Sequence, residues 1–245
     1  MKRNNTSGSV KRPRPKALLS ISRTWSKSVR RSILSWSGAN QRVFPWRETR
    51  NPFHIVVAEI LLRRTQATRV IQPYFKLIRK FPSPETLSSA NVEDLREVFR
   101  PLGLVQRTDQ LLRLARVIVN NHHGRVPRDL GKLLQLPGLG TYSARAVMSL
   151  AFGERVPMLD ESSGRVLRRL ADLPKDGPAY ASKSLLAFAE ALLPRRSARR
   201  FNLGLLDLAA SNCRPRVPLC DTCPLCRLCR HAERRRQSGV ELVAT

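Results

Sequence analysis

The chain has 245 residues, 42% of them hydrophobic, and carries 45 Lys and Arg against 18 Asp and Glu, a formal charge of +27. That apolar share can fill a core, which excludes wholesale disorder, and no apolar run reaches the ~18 residues of a membrane span. So large a charge on one or two domains points to a polyanionic partner, most simply nucleic acid.

Residues 1–47 contain twelve Lys and Arg and no acid. Within them, 1–16 is rich in Ser, Asn, Pro and basic residues and reads as a disordered arm, whose phosphate contacts would weaken with salt. An acid-free start rich in Arg and Ser also fits an organellar transit peptide. No sustained apolar stretch follows to make a secretory signal, so the expected location is cytoplasmic, on DNA. Residues 17–36 set Leu18, Leu19, Ile21, Trp25, Val29, Ile33 and Leu34 near a helical period. Phe44-Pro45-Trp46 breaks the chain. Asn51-Pro52 opens a helix with Pro in its first turn, running to about Arg63. A helix over 69–80 is closed by Phe81-Pro82-Ser83-Pro84. A short helix over 91–99 has Asn91 as its cap, and a longer one over 105–121 ends near His122-His123-Gly124. After the break at Val126-Pro127, helices are expected at 129–135, 142–152, 162–171, 180–193 and 199–211. No segment alternates with period 2, so the fold class is all-α. No repeat of 20–50 residues is visible.

All five cysteines lie between Cys213 and Cys229. Clustering at one end suggests a metal site in a reducing compartment rather than a disulfide framework. Soft thiolates select zinc or iron–sulfur. One compact run with uneven gaps suits a cubane cluster better than the two separated pairs of structural zinc. The register is ambiguous: either Cys213 or Cys226 is the spare.

Four further features carry possible chemistry. Leu136-Pro-Gly-Leu-Gly-Thr141 joins two helices, and its glycines let the backbone turn sharply and approach a ligand. The free N–H groups of the helix that follows suit a phosphate. This has the form of a helix–hairpin–helix with Gly138, Gly140 and Thr141 at the contact, or of an ordinary turn. Glu59 is the only acid in the apolar stretch Pro52–Leu62. Burial would raise its pKa and make it a general acid near neutral pH; the alternative is a helical pair with Arg63 at i+4. Asp160 follows an apolar non-helical stretch and precedes a helix. It can stabilise a developing sugar cation or activate water, serve as an N-cap, or both. Tyr142, just past the hairpin, reads first as a core aromatic.

Hairpin, downstream aspartate and terminal cysteine run appear in this order in the helix–hairpin–helix DNA glycosylases related to endonuclease III and MutY. The chain resembles them over roughly residues 30–235, and most nearly resembles the archaeal Mig-type thymine-mismatch glycosylases. The shared stretches include Phe44-Pro-Trp-Arg47, Glu59-Ile-Leu-Leu-Arg-Arg-Thr65, Gly124-Arg-Val-Pro127, Leu136–Tyr142, Ala146–Gly153 and Phe201–Asp207. The resemblance implies a two-lobed fold with DNA across the cleft. One lobe is a six-helix bundle over 48–154. The other joins 30–47 to 155–231 around a [4Fe-4S] cluster. An arm over 1–29 and a tail over 232–245 flank them. The family's cluster ligands map onto Cys213, Cys220, Cys223 and Cys229, leaving Cys226 spare. Its essential aspartate maps onto Asp160, and the lysine of its bifunctional members onto Tyr142. A tyrosine forms no Schiff base, so the expected enzyme is a monofunctional N-glycosylase. Glu161-Ser162 departs from the family pattern and is an extra acid beside Asp160. By the resemblance, Arg63, Arg64 and the loop near Leu104 are the candidates to fill the hole left by a flipped base, surface phosphate contact being the alternative for both arginines. Glu59 and Tyr142 suit both MutY-type and Mig-type enzymes. Arg63-Arg64, in place of a Gln-Gln pair, and a chain that ends soon after the cysteines favour the latter. The expected reaction is hydrolysis of thymine or uracil opposite guanine in mismatched duplex DNA by a monomer. Adenine excision opposite guanine or 8-oxoguanine is the first alternative, and a non-catalytic DNA-binding relative the second.

Overall fold

The structure is a computed structural model, described here for residues 22–103 and 105–238. Among these residues there are thirteen α-helices and no strand. The helices are α1 (Arg23–Asn40), α2 (Pro45–Glu48), α3 (Pro52–Leu62), α4 (Ala67–Lys80), α5 (Pro84–Ser88), α6 (Val92–Phe99), α7 (Thr108–His122), α8 (Leu130–Gln135), α9 (Thr141–Leu150), α10 (Glu161–Ala171), α11 (Lys183–Leu192), α12 (Ala198–Ser211) and α13 (Arg230–Gln237).

Two apolar cores organise them. α3 is the axis of the first. Asn51 caps it by accepting from the Phe53 and His54 N–H groups, and Pro52 occupies its first turn. It buries residues on all sides, as a helix apolar all round must. Around it pack apolar side chains from Phe44 to Met158, with Leu203 reaching in from α12. The second core is built from Val29 and Ile33 of α1 and from Leu159 through Leu225. α1 and α12 come close because Gly204 has no side chain: a Cβ there would stand 3.0 Å from Ile33 Cγ2. The seam between the cores passes between Met158 and Leu159, one residue before Asp160.

Several boundaries differ from expectation. Residues 23–29, assigned to the arm, are helical because Ser22 caps α1 and Val29 is buried against the second core. Phe44 and Trp46, expected in the second lobe, join the first core. The break at Phe44-Pro45-Trp46 is a single helical turn, α2, and α5 begins within the expected break at Pro84. Both are too short to show a period. Residues 232–237 of the expected tail belong to α13, which buries Ala232. Residues 17–21, Leu104 and most of the expected arm lie outside the described residues.

Many arginines are engaged with backbone carbonyls at helix ends. Arg30 donates to Ala191 and Leu192, Arg155 to Glu190 and Leu193, Arg165 to Ala209 and Cys213, and Arg107 to Ile60. Each supplies a cation and donors where a helix leaves carbonyls unpaired.

Candidate active site

A cleft of about 310 Å³ opens at the seam. Glu59 from α3, Tyr142 from α9 and Asp160 at the N-cap of α10 all line it. The fold thus brings together three residues that the chain separates widely.

Glu59 is 6% exposed. Burial pushes its carboxyl up to about 7; a hydrogen bond with Ser143 opposes this and the Asp160 carboxylate adds to it. The helical pair with Arg63 does not form. Arg63 turns instead to the hairpin and donates Nη1 to Gln110 Oε1 (3.1 Å) and to the Gly138 carbonyl (3.3 Å). Tyr142 is half-buried. Its hydroxyl is raised well above the ordinary phenol range, first by burial and then by Glu59 and Asp160, with Arg47 and Arg42 opposing. It therefore remains a proton donor at neutral pH.

Asp160 is both cap and cleft residue. Its Oδ1 accepts from the Ser163 N–H (2.7 Å) and hydroxyl (2.8 Å), while Ser163 Oγ accepts from the Asp160 N–H (3.0 Å). This reciprocal box fixes the carboxylate and leaves Oδ2 without a partner among the described residues. Glu161 does not crowd it. Its carboxylate accepts from the Ala179 N–H (2.6 Å) and lies 3.7 Å from Arg168, while Ser162 lines the cleft.

Beside the cleft, α8 and α9 flank the hairpin. Gly138 takes φ 90°, and a Cβ there would meet Gln110 at 2.8 Å. Gly140 is extended (φ −90°, ψ 179°), and a Cβ there would meet nothing within 4 Å. Gly140 is the N-cap of α9 and offers no side-chain cap, so the N–H groups opening at Thr141 are open to a ligand. Arg63 and Arg64 are exposed, and Arg64 is left-handed (φ 53°) in the turn after α3. Both lie near Arg107, whose guanidinium is lowered by burial and by their charges. Next to the undescribed Leu104, Val105 is an exposed apolar side chain.

The cleft also holds groups not singled out from the sequence. Arg42 and Arg47 line it, and both bind Asp207 of α12. Asp207 is the only acid in α12, the same signal that marked Glu59.

In a second cavity, all five cysteines line an apolar space with Leu170, Leu208 and Leu225. None is paired in a disulfide. Cys213, Cys220, Cys223 and Cys229 act on one another electrostatically, and Cys226 acts on Cys220 as well; Arg169 Nη1 lies 3.5 Å from Cys213 Sγ and Arg236 Nη1 3.7 Å from Cys226 Sγ. Among the described residues no three His, Cys, Asp or Glu side chains converge on a single ion position.

Two helical cores, a glycine hairpin and an acid-lined cleft between them define the helix–hairpin–helix class of DNA-acting proteins. The chain belongs to the HhH-GPD superfamily of base excision DNA repair proteins, whose family profile matches residues 57–191. It is 41% identical over 193 residues to a thymine/uracil-DNA glycosylase of Methanothermobacter thermautotrophicus, covering 78% of this chain and 87% of that one. The structure of a thermostable thymine-DNA glycosylase superposes with a TM-score of 0.82 at 39% identity, over 86% of this chain and 98% of the other. An endonuclease III trapped in a covalent intermediate with DNA shares the fold, with a TM-score of 0.75 at 22% identity, over 88% and 99%.

Proposed function

We propose that this chain is a monofunctional DNA N-glycosylase that removes thymine or uracil opposite guanine. The observation that carries the reading is the convergence of Glu59, Tyr142 and Asp160 in one cleft beside a phosphate-competent hairpin. The similarity to thymine/uracil-DNA and thymine-DNA glycosylases supports the choice of base.

The target base must leave the stack, at a cost of a few kcal/mol that is least at a mismatch. The hairpin at Gly138, Gly140 and Thr141 would hold a phosphate, and Arg63 and Arg64 would support the opened duplex. In the reaction the C1′–N1 bond breaks and its electron pair leaves with the base. Asp160, held by Ser163, stabilises the positive charge on the sugar, and water oxygen then bonds to C1′. The water proton passes through Asp160 to solvent. Glu59, with its carboxyl near 7, holds a proton about half the time at neutral pH and can donate it to the base. Tyr142 offers a hydroxyl and no amine, so the sugar stays free of enzyme and its strand stays intact.

The cysteine cavity fits a [4Fe-4S] cluster held by Cys213, Cys220, Cys223 and Cys229. These are four of the five soft donors that line that apolar cavity, and they would hold the cluster as thiolates. Burial pushes the Cys223 thiol up to about 12 and raises Cys220 and Cys229, so cationic iron would be what holds them as thiolates. The cluster would fix the segment 213–229 and supply no hydrolytic chemistry.

The test is base release from T·G, U·G, A·G, A·8-oxoguanine and T·A duplexes, read as strand breaks with and without alkali. Breaks at T·G and U·G that need alkali, with T·A spared, are expected. Release of adenine alone would overturn the choice of base, and breaks without alkali would overturn monofunctionality.

A further inference from the structure

The cleft holds more positive charge than the proposed steps use. Asp207 is 1% exposed and is gripped by two guanidiniums. Arg47 donates Nη1 to Oδ2 (2.8 Å) and Nη2 to Oδ1 (3.0 Å), and Arg42 donates Nε to Oδ1 (2.6 Å) and its backbone N–H to Oδ2 (3.2 Å). A second Nη1 proton of Arg47 goes to the Arg42 carbonyl (2.9 Å). Phe44 lies under both cations, 5.2 Å from Arg47 and 5.5 Å from Arg42, and stacks on Trp46. Two cations against one carboxylate leave one net positive charge.

Arg47 cannot swing away to serve another site. It is 6% exposed, and its backbone carbonyl is bonded by Arg199. Three of its five N–H donors are used, which leaves Nε–H and one Nη2–H without a partner among the described residues. A buried guanidinium is placed for something that enters the cleft, not for a phosphate that remains outside it.

Resting on the reading of the site as a pyrimidine glycosylase, we propose that Arg47, with Arg42 beside it, receives the negative charge of the departing base, and that Asp207 is the positioning residue that aims them. When C1′–N1 breaks, the electron pair on N1 delocalises onto the two pyrimidine carbonyl oxygens. Fixed N–H donors aimed at such oxygens stabilise the anion more than the neutral base, which is what accelerates the step.

The test is single-turnover release of 5-fluorouracil, uracil and thymine, each opposite guanine, listed in order of worsening leaving group. Arg47→Gln is expected to slow thymine release about 100-fold, and 5-fluorouracil release by less than about 10-fold, because a good leaving group needs less help. Arg42→Gln and Asp207→Asn should show the same leaving-group dependence with smaller losses. Equal losses on all three bases, or none, would overturn the assignment, and equal losses with weakened binding to abasic duplex would mean that the arginines hold a phosphate. If Arg47→Gln does not fold, Arg42→Gln, whose side chain is 42% exposed, decides the matter alone. Wild-type protein that releases none of the three bases would remove the functional reading itself.

Discussion

Glu59 is an acid in a helix that is otherwise apolar, and the structure makes its proton valuable. Its carboxyl stands at about 7 in the fold against an ordinary 4.5. The folded state therefore binds more protons than the unfolded chain between these values. The stability from protonated Glu59 is complete below pH 4.5 and is lost as pH rises through 7, a cost of roughly 3 kcal/mol above it. Glu59→Gln should thus stabilise the protein at pH 8 by up to that amount and scarcely at pH 4.5, as urea melts at the two pH values would show. An equal effect at both would mean that the carboxyl is not held up by burial. Glu59 was legible because one charge among apolar neighbours must be paired or functional. Asp207 carries the same mark in α12, but its role is not legible there. Its partners, Arg42 and Arg47, lie more than 150 residues earlier in the chain, a pairing that no local pattern encodes.

At the scale of elements, the hairpin separates two uses of glycine. Gly138 needs its positive φ and would strike Gln110, so Gly138→Ala should cost about 1–3 kcal/mol in a thermal or urea melt. Gly140 has an ordinary backbone and open space, so Gly140→Ala should change stability by less than about 0.5 kcal/mol. It should nonetheless weaken duplex binding about 10-fold, because a methyl would stand at the mouth of the free N–H groups. Equal stability losses for both would contradict this division. The long helices were visible in their periods and caps, whereas α2, α5 and α13 were not. Helices of four or five residues have no period, and α13 is so basic that only tertiary contact on Ala232 identifies its inner face. The register of the cysteines was open in the spacing alone. Cys213→Ser should bleach the visible absorbance of the purified protein and Cys226→Ser should not; the reverse would mean that Cys220, Cys223, Cys226 and Cys229 are the ligands.

Over the whole molecule, the charge of +27 serves two ends. Part faces outward, as Arg63 and Arg64 do beside the hairpin, and fits a polyanion. Part is internal: Arg30, Arg107, Arg155 and Arg165 close helix ends, and Arg47 is buried in the cleft. Composition registers both alike, which is why it points to nucleic acid without showing where nucleic acid lies. The two cores meet one residue before Asp160, so their junction is also the site. That coincidence makes Asp160→Asn the most direct test of base excision in this cleft. An amide keeps an oxygen to cap α10 but carries no charge to offer the sugar. Single-turnover release of thymine from T·G duplex should fall by about 10³-fold, with duplex affinity and melting temperature nearly unchanged. Release at the wild-type rate would contradict the account and place the chemistry elsewhere.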